Sequence, residues 1–285
     1  MNSISFKLPK EEIEKLIQKY QDCLKDPPNE HMLAFIKTPD DTTISIYKTD
    51  KVLIQGTSAH IYGASFLHKD TDQAGSDEVG TGDYFGPVCV CACIVRQNDI
   101  EYLESLGVND SKKMDDEKII KIGQELYERL ENSLLILDDK TYNRAHERYN
   151  LNEIKVRLHN QAYINLIHKG HKIPKACYVD QFEEKETYFR HLKDEKEVFH
   201  DLHFETKAES SYIAVAAASV IARWAFLKTM QELSKHYDMD FPFGSRAQVD
   251  EAGLVFVKRY GFERLKEVAK IHFKNTERIK ELLNK

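Results

Sequence analysis

The sequence predicts a protein of two domains, in which a small α+β domain precedes a larger α/β domain. Two observations lead to this prediction: the hydrophobic pattern changes near residue 70, and beyond that point strand-like runs alternate with amphipathic helical runs. A chain of 285 residues suits one large domain or two modest domains that each bury a core, and the change of pattern favours two. With 41% hydrophobic and 31% charged residues, the composition is that of an ordinary soluble protein and argues against wholesale disorder.

The first 70 residues carry the signals of a β-rich unit with one main helix. We expect a strand at residues 3–8, a helix at 9–24 that a Pro-Pro-Asn breaker ends, and strands at 31–37, 43–48 and 51–55. A short helix at 58–67 completes the unit. The charged, aperiodic stretch 68–73 is the predicted linker, so the expected domains are residues 1–70 and 71–285.

The second domain shows the alternation of an α/β fold. Strands are predicted at residues 76–79, 87–95, 134–137, 176–179 and 203–206, and helices at 115–132, 151–168 and 210–236, with one or two more near the end of the chain. Small side chains surround the helix at 213–222 on all sides, which predicts a buried central helix that lies close to other backbone.

The location of the protein is predicted from its N-terminus and its cysteines. The start has no basic region followed by an apolar run, and no window approaches eighteen consecutive apolar residues, so we expect a cytoplasmic protein without a membrane segment. Five cysteines without zinc-site spacing favour reduced thiols. Cys89, Cys91 and Cys93 would share one face of a strand, where they could bind a soft metal or act as small buried hydrophobes.

Charge is distributed unevenly along the chain. The net charge of −6 opposes binding to a polyanion, because nucleic-acid affinity depends largely on Lys and Arg at phosphates. Residues 253–285, however, carry nine Lys or Arg against four Glu, a local charge of +5. Taken alone, this tail fits either a nucleic-acid contact or a solvated amphipathic helix.

The stretch 75–87, Gly-Ser-Asp-Glu-Val-Gly-Thr-Gly-Asp-Tyr-Phe-Gly-Pro, is the most informative for chemistry. Asp77 and Glu78 are adjacent acids in a predicted strand, where a buried carboxylate must be paired or bound to a metal. Successive strand side chains point to opposite faces, so both serve one site only if the backbone turns directly after them. The glycines supply that freedom and let a substrate approach main-chain NH groups, although the Lys-Ser/Thr ending of a P-loop is missing.

Two further acids stand at similar places. Asp180 ends a predicted strand and Glu209 directly precedes the Ala-rich helix. Each by itself could equally be a cap. Together with Asp77 and Glu78 they form an all-oxygen set, which favours magnesium or manganese over zinc.

Several separated motifs resemble the type 2 ribonucleases H. They are Asp-Glu-Val-Gly-Thr-Gly at 77–82 with Gly86-Pro87, Asn-Asp-Ser-Lys-Lys at 109–113, Lys-Ala-Glu-Ser at 207–210, and the Ala-rich run 216–222. Three details resemble ribonuclease HIII within that family. Thr81 stands where ribonuclease HII has arginine, Glu209 stands where it has aspartate, and Phe-Gly-Ser at 243–245 accompanies the ending at 269–276.

This resemblance, which spans the whole chain, implies a ribonuclease H-like catalytic domain preceded by a domain similar to the TATA-binding-protein fold that binds the substrate. It implies an endonuclease that hydrolyses the RNA strand of RNA–DNA hybrids and leaves 5′-phosphate and 3′-hydroxyl ends. Asp77, Glu78, Asp180 and Glu209 carry over as the catalytic acids and metal ligands. Two divalent ions, Mg²⁺ or Mn²⁺, would clamp the scissile phosphate. A monomer is expected.

Substrate contacts are predicted around the glycine motif. Main-chain NH groups at Gly80, Thr81 and Gly82 are expected to meet 2′-hydroxyls or phosphates, which is how a protein distinguishes RNA from DNA. Lys112 and Lys113 are expected to contact phosphates, unless they belong only to a solvated loop.

Other polar residues carry weaker signals. Asp83 could support the site or simply belong to the turn, and His146, His159 and His272 could shuttle protons or be incidental. The nearest rival activity is ribonuclease HII-like cleavage at single embedded ribonucleotides. The sequence also leaves room for a hybrid-binding protein that does not cleave and for a DNA-only nuclease of the same superfold.

Overall fold

The structure, a computed structural model, describes residues 3–59, 62–63, 71–108 and 114–284. The chain divides into two compact units, Met1–Asp70 and Thr71–Lys285. The two units show the predicted order of fold classes, a small α+β domain followed by a larger α/β domain.

The first unit is an antiparallel sheet covered by a helix. Its strands follow the order β1-β5-β4-β3-β2. They are β1 Ser3–Lys7, β2 Leu24–Lys25, β3 Met32–Lys37, β4 Thr43–Tyr47 and β5 Lys51–Gln55. Helix α1, Lys10–Lys19, buries Ile13 and Leu16 in the core that the strands form. Burial of such apolar side chains is the main stabilising contribution to a unit of this size.

The predicted helix at residues 9–24 is too long. After α1 the chain forms a 3₁₀ turn, Gln21–Cys23, and then β2, in which Leu24 pairs with Ile36 of β3. Pairing with the sheet therefore overrides the helical pattern at these residues. The predicted helix at 58–67 lies mostly outside the described residues, as do residues 68–70 of the predicted linker. The last residue of that linker, Gln73, already belongs to a strand, Gln73–Val79.

The second unit contains a five-stranded mixed sheet of order β10-β9-β6-β7-β8. Strand β6 pairs antiparallel with β7 and parallel with β9. The strands are β6 Gln73–Val79, β7 Val88–Val95, β8 Glu131–Leu137, β9 Ala176–Asp180 and β10 His203–Glu205. The central position of β6 places its end at the middle of one sheet edge.

Helices cover both faces of this sheet. They are α2 Gln97–Ser105, α3 Asp116–Arg129, α4 Asp139–His146, α5 Leu151–His168, α6 Lys185–His191, α7 Ile213–Tyr237, α8 Ala247–Tyr260 and α9 Lys274–Leu283. Helices α2, α4 and α6 were not predicted, because they are short and polar. The cap of α4 shows how such a helix begins: the Asp138 carboxylate accepts a hydrogen bond from the NH of Thr141 at 2.7 Å.

Helix α7 is the buried central helix that the Ala-rich pattern predicts. Its small residues pack with Cys89, Cys91 and Cys93 on one face of the sheet, whereas Val156 of α5 belongs to the core on the other face. Within the described part of the chain, α7 alone is long and apolar enough to cross a membrane by length and composition. Because most of it is buried inside the domain, its apolar character is that of a core helix.

Candidate active site

The two adjacent acids lie at the open end of the central strand. Pairing between β6 and β9 ends at Ser76 and Val179, whereas β6 remains paired with β7 through Val79. Asp77 therefore follows the last residue that β9 covers, and Asp180 follows the partner of Ser76 on β9. The register thus brings Asp77 and Asp180 side by side, as expected for acids at the carboxyl ends of adjacent parallel strands.

Asp77 faces helix α7. The Ser219 hydroxyl of α7 donates a hydrogen bond to the Asp77 carboxylate, and the NH of Glu78 donates another at 2.8 Å. Burial, followed by the negative charges of Glu78 and Glu209, raises the pKa of Asp77 well above its ordinary value. These acids are therefore close enough to destabilise one another's charged forms.

Asp180 and Glu209 lie on the same side as Asp77. Asp180 accepts a hydrogen bond from the NH of Ala208 at 3.0 Å, and burial and then the charges of Glu209 and Glu78 raise its pKa. Glu209 is buried in a 3₁₀ turn, Ala208–Ser210, which is separated from the start of α7 by two residues. Lys207, in the left-handed conformation with φ of 57°, directs the chain into this turn.

Glu78 faces the opposite side, towards helix α5. Lys155 Nζ lies 2.5 Å from Glu78 Oε1, and His159 Nε2 lies 2.9 Å from Oε2. The other ring nitrogen of His159 lies 2.8 Å from the Ser76 hydroxyl oxygen. Burial acts to raise the pKa of Glu78, but His159 and Lys155 outweigh it and hold that pKa at about 2.

The four acids fit a hard divalent cation in chemistry but are not preassembled around one. Their donors are all carboxylate oxygens, and the pKa values of Asp77 and Asp180 are raised first by burial and then by the negative charges of neighbouring acids, which a cation would neutralise. Among the described residues, no three His, Cys, Asp or Glu side chains are arranged to hold a metal. The engagement of Glu78 by α5 agrees with this finding, since it draws one of the four acids to the other face of β6.

The expected turn in the backbone comes at Gly80, one residue after the end of β6. Gly80 has φ of +95°, and a Cβ there would lie 2.1 Å from the carbonyl oxygen of Pro87, so only glycine fits. Gly82 is different: it is exposed, and a Cβ there would have nothing within 4 Å. The fold therefore requires glycine at position 80 but leaves open space at position 82. Thr81 between them is partly exposed.

The ending of the chain holds the glycine motif in place. The NH of Gly86 donates to the carbonyl of Val268, and Phe85 forms a β-bridge with Ala269. Buried Lys270 donates from Nζ to the carbonyls of Asp83, at 2.9 Å, and Gly86. The motif and the ending, which the sequence places far apart, thus form one structural unit.

The segment Phe-Gly-Ser at 243–245 contacts the same turn. The carboxylate of Asp83 accepts a hydrogen bond from the NH of Gly244 at 2.6 Å, and the carbonyl of Gly244 accepts one from the NH of Tyr84 at 2.8 Å. Asp83 therefore has an anchoring role in the turn.

The remaining sequence candidates are distributed over the domain. His146 and His272 stack on each other with ring centroids 4.0 Å apart, and burial, followed by the charges of His146 and Lys270, lowers the pKa of His272 to about 4. Lys112 and Lys113 lie outside the described residues. Burial raises the pKa of Cys89 and Cys93 to about 12, so these thiols are protonated core side chains.

Lys155, Ser219 and Lys270 are contacts of the site that the sequence did not single out. A local signal existed for the first: Lys155 and His159 are four residues apart on a helix whose neighbouring positions Ile154 and Val156 are buried, so two polar side chains share an otherwise apolar stripe. Lys270 lies in a basic tail, where its burial could not be recognised.

Known proteins resemble this chain over its whole length. The family model for ribonuclease HII matches residues 74–276, and the model described as a domain of unknown function (DUF3378) matches residues 3–78. The chain is 37% identical to ribonuclease HIII of Bacillus pumilus, with 97% of this chain and 98% of that protein covered. It is 35% identical to ribonuclease HIII of Streptococcus pneumoniae serotype 19F, with both chains fully covered. The crystal structure of Bst-RNase HIII in complex with Mn²⁺ matches with a TM-score of 0.77 and 32% identity, covering 99% of each chain.

Proposed function

The chain belongs to the ribonuclease HIII family of type 2 ribonucleases H and is an H-type endoribonuclease, and we propose that it hydrolyses the RNA strand of RNA–DNA hybrids to leave 5′-phosphate and 3′-hydroxyl ends. The observation that carries this proposal is the gathering of Asp77, Asp180 and Glu209, with Glu78 beside them, at the open end of strands β6 and β9.

The four acids are proposed as ligands for two Mg²⁺ or Mn²⁺ ions. When bound, such ions lower the pKa of the attacking water and stabilise the departing 3′ oxygen. A Mn²⁺ complex exists for the related Bst-RNase HIII, which supports this choice of cation. The chain's own contribution is to hold the carboxylates: Ser219 orients Asp77, the NH of Ala208 orients Asp180, and the turn before α7 carries Glu209.

The glycine motif is proposed to recognise the RNA strand. The open space at Gly82 allows a ribose-phosphate backbone to approach main-chain NH groups of residues 80–82, where a 2′-hydroxyl can exchange hydrogen bonds. The bracing of this turn by residues 243–245 and 268–270 preorganises it, so less entropy is lost on binding. Lys112 and Lys113 are proposed to contact phosphates of the same strand.

The small domain, residues 1–70, is proposed to bind the hybrid, with catalysis in residues 71–285. It carries eight Lys against nine acids through residue 68, so its binding would rely on shape and hydrogen bonding more than on net charge. We further propose that the enzyme acts in the cytoplasm as a monomer, in keeping with five free cysteines of which four are buried.

A cleavage assay with three duplexes tests the proposed activity. The substrates are end-labelled and supplied with Mg²⁺ or Mn²⁺: a continuous RNA–DNA hybrid, a DNA duplex with one ribonucleotide, and an all-DNA duplex. We expect cleavage within the hybrid, 5′-phosphate ends on the products, and none in the all-DNA duplex. Efficient cleavage at the single ribonucleotide would instead support the ribonuclease HII-like activity, and tight hybrid binding without cleavage would support a binding protein.

A further inference from the structure

The Glu78 carboxylate already has protein partners where a metal ion would bind it. Both of its carboxylate oxygens have partners from helix α5: Lys155 at 2.5 Å and His159 at 2.9 Å. The pair is shielded from solvent, since the side chains of Lys155 and Glu78 are 9% and 11% exposed. In such a place a positive charge next to a carboxylate is weakly screened, so it competes strongly with any other cation for that carboxylate.

Lys155 is itself firmly placed. Its ammonium lies 3.6 Å from the ring centroid of Phe182, within the range of a cation–π contact. His159 is fully buried and bridges Glu78 to Ser76 on the same strand. Helix α5 therefore presents a fixed positive charge, with a fixed hydrogen-bonding ring beside it, to the one acid of the four that points to its side of β6.

We propose that Lys155 is a built-in counter-cation of Glu78, and that a divalent ion must displace it from the carboxylate before Glu78 can act as a metal ligand. This inference rests on the proposed metal-dependent function. It accounts for the absence, among the described residues, of a group of three acids already arranged to hold a metal. Lys155 thus acts through Glu78 as a competitor of the metal, and it lowers the affinity of the free enzyme for that metal.

The proposal predicts that removal of Lys155 tightens metal binding. Replacing Lys155 by methionine, which is similar in length and uncharged, should tighten Mn²⁺ binding by at least about five-fold, since the charge that competes for the Glu78 carboxylate is removed. A lysine that merely orients Glu78 for the metal would give the opposite result, weaker binding. The direction of the change therefore distinguishes competition from support.

The test measures the Kd of Mn²⁺ by isothermal titration calorimetry. Mn²⁺ is titrated into the metal-free full chain without substrate, for the wild type and for K155M. The matched control is K169M: Lys169 is an exposed lysine directly after α5, bonded to the carbonyl of Asn132, so its replacement removes the same charge away from Glu78. D77N identifies which bound ions belong to the site. We expect tighter binding for K155M, unchanged binding for K169M, and a larger Mn²⁺-induced rise in melting temperature for K155M than for the wild type.

Equal or weaker Mn²⁺ binding by K155M would overturn the inference and leave the proposed function untouched. Absence of Mn²⁺ binding by the wild type and by every variant would instead contradict the proposed metal site itself. If K155M does not fold, K155Q carries the same expectation, since glutamine keeps a hydrogen-bond donor and loses the charge. K155R, which keeps the charge, should bind Mn²⁺ no more tightly than the wild type.

Discussion

Asp77 and Glu78 are neighbours in strand β6, but their surroundings shift the pKa values of their carboxyl groups in opposite directions. Asp77 faces α7 and receives hydrogen bonds from neutral groups, and burial and then the charges of Glu78 and Glu209 raise its pKa. Glu78 faces α5, where His159 and Lys155 hold its pKa at about 2 against the effect of burial. The side of β6 that faces α7 therefore retains an excess of negative charge, which a divalent cation can neutralise, whereas the protein itself neutralises the other side.

The largest effect is expected on hybrid cleavage when Asp77 is replaced. Changing Asp77 to Asn removes a charged oxygen donor but keeps the shape, so cleavage of the hybrid should fall by on the order of a thousand-fold or more, given that a catalytic ion contributes several kcal/mol. The same change relieves the repulsion with Glu78 and Glu209, so the metal-free protein should melt at an unchanged or higher temperature. Turnover like that of the wild type would remove Asp77 from the site.

Replacement of Glu78, unlike that of Asp77, should destabilise the metal-free protein. Changing Glu78 to Gln leaves Lys155 buried without its counter-charge, which should lower the free energy of unfolding in EDTA by roughly 3 kcal/mol. Urea denaturation of E78Q beside D77N measures the difference directly. Equal stability of the two variants would contradict the contrast between the two sides of β6.

Lys270 offers a second buried lysine for comparison. Its ammonium binds main-chain carbonyls of the glycine motif and lies 3.8 Å from the buried carboxylate of Asp139. Burial lowers the pKa of Lys270, against the charge of Asp139. K270M should lower the free energy of unfolding by about 2 kcal/mol, because two carbonyls lose a donor, and should raise KM for the hybrid more than it lowers kcat. K274M, a change at an exposed lysine, is the control, and an unchanged KM in K270M would show that Lys270 does not position the motif.

The glycine motif allows a smaller and more selective test. G82A should change the free energy of unfolding by less than about 0.5 kcal/mol, since the space is open, yet raise KM for the hybrid several-fold if a substrate backbone approaches there. G80A is the contrasting variant, since its Cβ would meet the carbonyl of Pro87, and it should be strongly destabilised. A KM for G82A equal to that of the wild type would argue against substrate contact at this position.

The smallest effect is expected for the pH dependence of stability that His272, which lies away from the four acids, contributes. The pKa of His272 is lowered to about 4 from 6.5, so the unfolded chain binds its proton more readily and stability is lost as the pH falls from about 6.5 towards 4. The residue as a whole is exposed, although the stacked ring of His146 shields one side of its imidazole, so its contribution should be under about 1 kcal/mol. Urea midpoints at pH 7 and pH 5 should differ less in H272Q than in the wild type. An identical pH dependence in both proteins would exclude His272 as a source of acid sensitivity.

Much of the fold follows from local patterns in the sequence. Helix α5 was predicted with its observed bounds, and strand β5 likewise, because each has a clear period and clear end signals. The errors have two causes. The region after Lys19 follows a helical pattern in sequence but pairs with β3 in the sheet, and α4 is too short and polar to show a strong period.

The sequence by itself determined which acids could form the site and where the backbone must turn, because strand alternation, glycine conformation and carboxylate chemistry are local properties. Only the tertiary structure decided that Asp77 and Glu78 face different helices, that Lys155 neutralises one of them, and that Lys270 holds the glycine motif. These contacts join residues far apart in the chain. Which helix covers which face of a sheet depends on the packing of the whole domain, and no local pattern encodes it.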